Sequence, residues 1–186
     1  MTRRNLLNSL AVTALALVFT ASHANAQLAK DIVGTWTLVS AGDAYEPNAK
    51  GSLIFENNGR FSIILMRGNL PQYAANNRTQ GTATEYKATV EGSLAYFGTY
   101  SVNGTDLNLH IEGSTFPNWT GSDQKRINGA VTGDELKYTQ PNPSGGGTPA
   151  QLVWKRAKLA ARSCKQIGAH RRRSPSRCPR ANRLLD

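Results

Sequence analysis

The sequence contains very little cysteine and histidine. The chain of 186 residues has 2 cysteines and 3 histidines, and both cysteines, Cys164 and Cys178, lie near its C-terminus. The residues before them therefore hold no reactive thiol and no internal disulfide. No His or Cys residues stand at metal-ligand spacing, and the sequence has no nucleophile elbow, phosphate loop or dinucleotide fingerprint. These absences predict a protein without a metal site and without a cofactor.

An excess of one charge is also missing from most of the chain, although the formal net charge is +10. Residues 1–154 carry 11 basic and 11 acidic side chains, whereas residues 155–186 carry 11 basic side chains and 1 acidic side chain. The positive excess therefore belongs to the C-terminal segment alone. Because the rest of the chain is electrically balanced, its composition does not indicate a nucleic-acid partner.

Residues 157–186 differ sharply in composition from the residues before them. They are rich in Arg, Ser, Pro and Ala and almost lack aromatic and β-branched residues. Such a segment cannot bury enough apolar surface to become ordered, so we predict a disordered basic tail. Two interpretations stay open. Either the tail binds an anionic surface such as phospholipid, lipopolysaccharide or nucleic acid, or it is solvated and has no binding role.

Residues 1–26 have the three parts of a cleavable export signal. Arg3 and Arg4 form a basic start, residues 6–19 are mostly apolar, and Ala24-Asn25-Ala26 presents small residues where a signal peptidase cuts. A membrane anchor is the alternative, but the apolar run is shorter than the roughly 20 residues that span a bilayer. The arginine pair also resembles a twin-arginine signal, which leaves the export route open. We expect a periplasmic or secreted protein with no transmembrane segment after cleavage.

Short stretches of alternating apolar and polar residues fill most of residues 27–156, and this pattern is typical of antiparallel strands. In the clearest hairpin, Asn57-Asn58-Gly59 separates two strands, because Asn and Gly accept the positive φ of a tight turn. We predict strands at residues 35–40, 52–56, 61–66, 96–102, 106–112, 124–131, 135–140 and 151–156. About eight strands joined by hairpins predict an all-β, up-and-down antiparallel barrel, since closure removes exposed strand edges. A barrel of this size is just wide enough for one small ligand.

Two segments interrupt the strand pattern. Residues 70–90 do not alternate, and residues 84–90 favour a short helix that would cap an open end of the barrel. Residues 142–149 contain three consecutive glycines and are predicted to form a mobile loop.

Several motifs resemble the bacterial and fungal lipocalin-like domain family, which is distantly related to the lipocalins. Gly34-Thr35-Trp36 at the start of the first strand is similar to the Gly-x-Trp signature of lipocalins. Further similar segments are residues 51–55, 59–62, 96–100, 116–121 and 152–156. The resemblance covers residues 32–156 and implies a calycin-type barrel. It also implies structural roles for Gly34 and Trp36, with Trp36 closing one end under a cation–π contact from Arg156. The family has no common established activity.

The strand at residues 106–112 offers the main candidates for chemistry. Its two faces alternate, so His110 and Glu112 lie on one face and the leucines on the other. If the polar face points inward, both side chains would approach Arg126 and Gln124. A His near a carboxylate can transfer protons near neutral pH, which makes His110 and Glu112 possible catalytic residues. If the polar face points outward, these residues are ordinary surface.

The remaining candidate ligand contacts are aromatic walls and one arginine at the mouth of the barrel. Tyr100 and Trp119 are expected to line the site, and Arg67 is expected to contact an anionic group. The leading hypothesis is an exported barrel that binds a small, largely apolar or amphiphilic ligand. One alternative is a cofactor-free isomerase, cyclase or hydrolase with an interior site of His, Glu and Arg. A second is an envelope-associated scaffold whose tail binds anionic surfaces.

Overall fold

The computed structural model describes residues 27–158. The predicted export signal at residues 1–26 and the tail after residue 158, with Cys164 and Cys178, lie outside the described residues. Within residues 27–158, no helix has the length and apolar character needed to cross a membrane.

Eight antiparallel strands form one closed barrel, in which each strand pairs with the next and the last pairs with the first. They are β1 (Gly34–Ser40), β2 (Lys50–Phe55), β3 (Arg60–Met66), β4 (Ser93–Asn103), β5 (Asp106–Ser114), β6 (Asp123–Thr132), β7 (Glu135–Gln140) and β8 (Ala150–Arg156). The predicted up-and-down barrel is therefore confirmed. Each predicted strand is present, with ends that differ from the expected ones by three residues or fewer.

The β2–β3 hairpin shows how local sequence sets the register of the barrel. Gly59 has a φ of +81°, a region that glycine adopts without a steric penalty. Phe55 then pairs with Phe61, and Leu53 pairs with Ile63. Because directly opposed residues point to the same face of a sheet, the hairpin turns these four apolar side chains to one side. All four are buried in the barrel interior.

One end of the barrel is closed by the residues that precede β1. A helical segment, α1 (27–31), leads to Ile32, which is fully buried. Trp36 is also fully buried, and its indole Nε1 donates a hydrogen bond of 2.8 Å to the carbonyl of Ile32. The guanidinium carbon of Arg156 lies 4.1 Å from the centroid of the Trp36 ring. The N-terminal segment is thereby attached to the first and last strands.

Arg156 makes further contacts at this closed end. Its two terminal nitrogens donate to the carbonyls of Val33 at 3.0 Å and Asp31 at 2.7 Å. Gly34 leaves room for this arrangement, because a Cβ at this position would lie 2.9 Å from Nη1 of Arg156. One arginine thus stacks on the Trp36 ring and satisfies two backbone carbonyls that strand pairing leaves free.

The opposite, open end carries the four longer connections, residues 41–49, 67–92, 115–122 and 141–149. The second connection contains α2 (Ala83–Gly92), which confirms the predicted short helix. Thr82 and Glu85 form a capping box at its start, which satisfies two free N–H groups. Tyr73 donates a hydrogen bond of 3.1 Å to Thr89, so α2 packs against its own connection.

Candidate functional site

The open end of the barrel contains a cavity of about 650 Å³. Its rim is formed by the connections 41–49 and 141–149, and its apolar wall includes Leu65, Leu94 and Leu152. This volume lies within the range of pockets that bind small organic molecules, about 300–1,000 Å³. The cavity is the described feature best suited to hold a ligand.

Two aromatic side chains, Tyr96 and Trp119, form part of the cavity wall. Their ring centroids are 5.3 Å apart, and the rings meet edge to face at 89°. The alternation of β4 turns Tyr96 inward, whereas Trp119 is brought over the barrel by the 3₁₀ turn Pro117–Trp119. The ring of Phe116 also contacts Trp119, with 5.8 Å between the ring centroids. Such an aromatic wall favours apolar and aromatic ligands.

Arg126 lies behind these two rings and is only 1% exposed. Its guanidinium carbon is 5.8 Å from the ring centroids of both Tyr96 and Trp119. One terminal nitrogen donates to the Tyr96 hydroxyl at 3.0 Å, and the other donates to the carbonyl of Lys125 at 2.9 Å. Its Nε has no hydrogen-bond partner within residues 27–158, and no described carboxylate pairs with it. Arg126 is thus a buried cation without a counterion in the described part of the chain.

Polar side chains hold the rim of the cavity in place. Arg67, expected to contact an anionic ligand, donates from Nε to the carbonyl of Ala44 at 2.7 Å and thereby anchors the 41–49 connection. Gln140 lines the cavity and donates to the carbonyl of Asn142 at 2.8 Å, which anchors the 141–149 connection. Arg67 is not among the residues that line the cavity. Its contact with an anionic ligand stays a prediction.

Two tyrosines at this end of the barrel have perturbed acidity. Burial raises the pKa of Tyr45 to about 12, with a further increase from Tyr96 that the charge of Arg67 opposes. Burial also raises the pKa of Tyr138 well above its ordinary value. Both phenols are therefore neutral at physiological pH and present hydroxyl groups, not phenolates.

The raised pKa of Tyr45 predicts a loss of stability at alkaline pH. Between pH 10 and pH 12 the phenol ionises in the unfolded chain but stays protonated in the folded chain. The unfolded state then binds fewer protons, so the free energy of unfolding falls as the pH rises. We expect Tyr45→Phe to lose less stability than the wild type between pH 8 and pH 12 in urea unfolding. Parallel curves for the two proteins across this range would contradict the prediction.

His110 and Glu112 lie on the outer face of the barrel. In β5, Leu107, Leu109 and Ile111 are buried, whereas the intervening side chains are exposed. Of the two orientations that the sequence left open for this strand, the structure has the polar face outward. The apolar face fills the interior, because closing the barrel with the polar face inside would bury polar groups without partners.

Both outward side chains have ordinary surface partners. His110 Nδ1 lies 2.8 Å from a carboxylate oxygen of Asp123, and the histidine side chain is 52% exposed. Glu112 accepts two hydrogen bonds from Arg60, at 2.8 Å and 3.1 Å, which lower the pKa of the Glu112 carboxyl. An interior acid–base site made of His110, Glu112 and Arg126 is not formed.

The other residues expected at the site are divided between the two ends of the barrel. Trp119 lines the cavity, and Arg126 contacts it from behind the cavity wall. Tyr100 lies instead towards the closed end, where its hydroxyl donates to the carbonyl of Glu56 at 2.9 Å. Gln124 is half-buried and donates to Ser122 at 3.1 Å, and it does not line the cavity.

Sequence analysis missed Tyr96 and Tyr45 as cavity residues. A signal for Tyr96 was available, because it lies two residues after Leu94 in a strand and so shares its face. No comparable signal exists for Tyr45, which belongs to the irregular 41–49 connection. Within the part of the chain that the structure describes, no group of three or more His, Cys, Asp or Glu residues could hold a metal ion.

Comparisons with known proteins agree with this architecture. The profile of the lipocalin-like domain matches residues 33–157. A 4'-hydroxy-3'-methoxypropiophenone carrier protein from Aspergillus oryzae (strain ATCC 42149 / RIB 40) is 30% identical over 106 residues. That match covers 51% of this chain and 95% of the fungal protein.

Proposed function

Since the chain belongs to the lipocalin-like domain family, we propose that it is an exported carrier of one small, largely apolar aromatic molecule. The observation that carries the proposal is the cavity of about 650 Å³ at the open end of the barrel. Its wall combines leucine side chains with the rings of Tyr96 and Trp119. Binding pockets for small molecules typically combine such an apolar lining with a few polar groups that orient the ligand.

The fungal relative supports an aromatic ligand. Its name describes it as the carrier of a propiophenone, which is a benzene ring bearing a ketone and two further oxygen substituents. A planar ring of this kind suits the edge-to-face pair of Tyr96 and Trp119, because aromatic contacts favour stacked and edge-to-face geometry. We therefore propose substituted aromatic compounds as the ligand class of this chain.

Export is the second part of the proposal. It is supported by the basic start at Arg3 and Arg4, by the apolar residues 6–19 and by Ala24-Asn25-Ala26. The barrel would then bind its ligand in the periplasm or outside the cell. A carrier without cysteine in residues 1–163 needs no disulfide to fold there.

One experiment tests both parts. The full chain is produced with residues 1–26 in a bacterial host, and the periplasmic fraction is purified and examined by native mass spectrometry. We expect a protein mass that begins at Gln27, together with an adduct that dissociates on denaturation and can be identified by extraction. A protein that stays uncleaved in the cytoplasm would refute export. A protein that carries no adduct and binds none of a panel of substituted aromatic ketones would refute the carrier function.

Two variants connect ligand binding to the cavity. Trp119→Ala removes an aromatic wall, and we expect the adduct to be lost or its affinity to fall about tenfold or more. His110→Ala removes an outer-face side chain that is 52% exposed, and we expect unchanged binding. Circular dichroism of both variants checks that the barrel is intact. Equal loss of binding in both would contradict a site at the open end.

A further inference from the structure

Arg126 and Tyr96 form a hydrogen-bonded polar pair at the aromatic part of the cavity wall, which Tyr96 lines. We propose that this pair selects ligands with a hydrogen-bond acceptor oxygen, specifically the carbonyl oxygen of an aryl ketone, which the Tyr96 hydroxyl binds as donor. The inference rests on the proposed carrier function, and it specifies which chemical group of the ligand the cavity recognises.

The direction of the hydrogen bond between the two residues follows from their chemistry. A guanidinium group can only donate hydrogen bonds, whereas a phenol can both donate and accept. In the contact of 3.0 Å, Arg126 must therefore donate and the Tyr96 oxygen must accept. The Tyr96 hydroxyl can then still donate its own proton, and no described residue accepts it. Tyr96 lines the cavity, so the partner that we propose for this proton is a ligand oxygen.

The charge of Arg126 makes this proton a strong donor. The guanidinium is 1% exposed and has no described counterion, so solvent screens its field poorly. A hydrogen bond from a cation to the phenol oxygen withdraws electron density from it, and linked hydrogen bonds strengthen one another. An acceptor on the ligand would thus receive a stronger hydrogen bond from Tyr96 than from an isolated phenol.

The other side chains of the cavity wall determine which kind of molecule can carry the acceptor oxygen. Trp119 meets the Tyr96 ring edge to face, and Leu65, Leu94 and Leu152 complete the apolar surface around them. Neither Arg126 nor any other described lysine or arginine lines the cavity, so a free carboxylate would reach no cation directly. This arrangement favours a neutral carbonyl on an apolar ring over a fatty-acid head group.

The test uses two probes of the same carbon skeleton, propiophenone and propylbenzene, which differ in the carbonyl oxygen. Dissociation constants are measured with the purified full chain by isothermal titration calorimetry, or by competition where solubility limits the direct titration. We expect Tyr96→Phe to weaken propiophenone binding about tenfold, the value of one hydrogen bond. Propylbenzene binding should change by less than about twofold, because the variant keeps the ring.

Arg126→Met provides an independent check of the pair. It leaves the Tyr96 hydroxyl in place but removes the charge behind it, so propiophenone should bind about threefold to tenfold more weakly. Propylbenzene binding should again stay nearly constant. Phe97→Ala, which removes a side chain on the outer face of the same strand as Tyr96, is the control and should leave both affinities unchanged.

The outcomes separate the two proposals. If Tyr96→Phe weakens both probes equally, the Tyr96 hydroxyl does not recognise the carbonyl oxygen, and the acceptor inference is wrong while the carrier function stands. If Tyr96→Phe leaves both affinities unchanged, the same conclusion follows. If the wild type binds neither probe and carries no adduct, both proposals are refuted.

Discussion

Trp36→Ala is expected to lower the free energy of unfolding by about 3–5 kcal/mol, the cost of truncating a fully buried tryptophan. Trp36 is 0% exposed, and its Nε1 holds the carbonyl of Ile32 at 2.8 Å. Truncation leaves a cavity, deprives that carbonyl of its donor and removes the ring on which Arg156 stacks at 4.1 Å. The closed end then loses the residue that joins the N-terminal segment to the sheet.

Urea unfolding monitored by circular dichroism measures this effect directly. Val39→Ala, on the same strand but 53% exposed, is the matched control and should change the free energy of unfolding by less than about 0.5 kcal/mol. A loss below about 1 kcal/mol for Trp36→Ala would show that the closed end does not depend on this ring.

Arg126→Met is expected to act in the opposite direction and to raise the free energy of unfolding by about 1–4 kcal/mol. Methionine fills much of the same volume without charge. The wild-type guanidinium gives up its hydration on folding, and within residues 27–158 it receives in return only the Tyr96 hydroxyl, the Lys125 carbonyl and two aromatic rings. Even buried cations that have a carboxylate partner are often replaced by apolar residues with a gain in stability.

Lys125→Met is the control for Arg126→Met, because it removes a cation from the neighbouring outward position. The Lys125 side chain is 54% exposed and pairs with Asp106 at 2.7 Å, so its removal should cost about 0–1 kcal/mol. Thermal and urea unfolding of both variants give the comparison. A loss of stability in Arg126→Met would show that the guanidinium has a structural role and would weaken its assignment to ligand selection.

We therefore expect the closed end of the barrel to contribute stability and the open end to bind the ligand. At the closed end, the cation of Arg156 is half-buried, satisfies two carbonyls and stacks on an indole ring. At the open end, the cation of Arg126 is fully buried, and one of its nitrogens has no partner among the described residues. Polar groups that are buried at a cost to stability are often part of functional sites.

Much of the fold could be predicted from local sequence. The period of two, together with turn residues such as Gly59, located all eight strands within three residues. The capping box of Thr82 and Glu85 similarly matches the predicted helix. These signals are strong because each depends on residues close together in the chain, whose geometry is determined by backbone sterics and hydrogen bonding.

The candidate site was less predictable because it depends on the pairing of β5 with β6. Their connection, residues 115–122, is too long to determine a register by itself. In the barrel, Leu107 pairs with Arg126 and His110 pairs with Asp123. Paired residues share a face, so Arg126 follows Leu107 inward while His110 stays outside. Only an inward polar face of β5 would have brought His110 close to Arg126, and this register separates the two side chains.

The sequence alone determined the number of strands, the order of the hairpins and the short helix, since each of these follows from local periodicity and turn chemistry. Tertiary structure decided which face of β5 is interior and which aromatic rings reach the cavity. It also buried Arg126 beside Tyr96, with no carboxylate partner in the described part of the chain. The interior of the barrel is defined only when β1 pairs with β8 and closes the sheet. No local pattern encodes this contact, because the two strands lie far apart in the sequence.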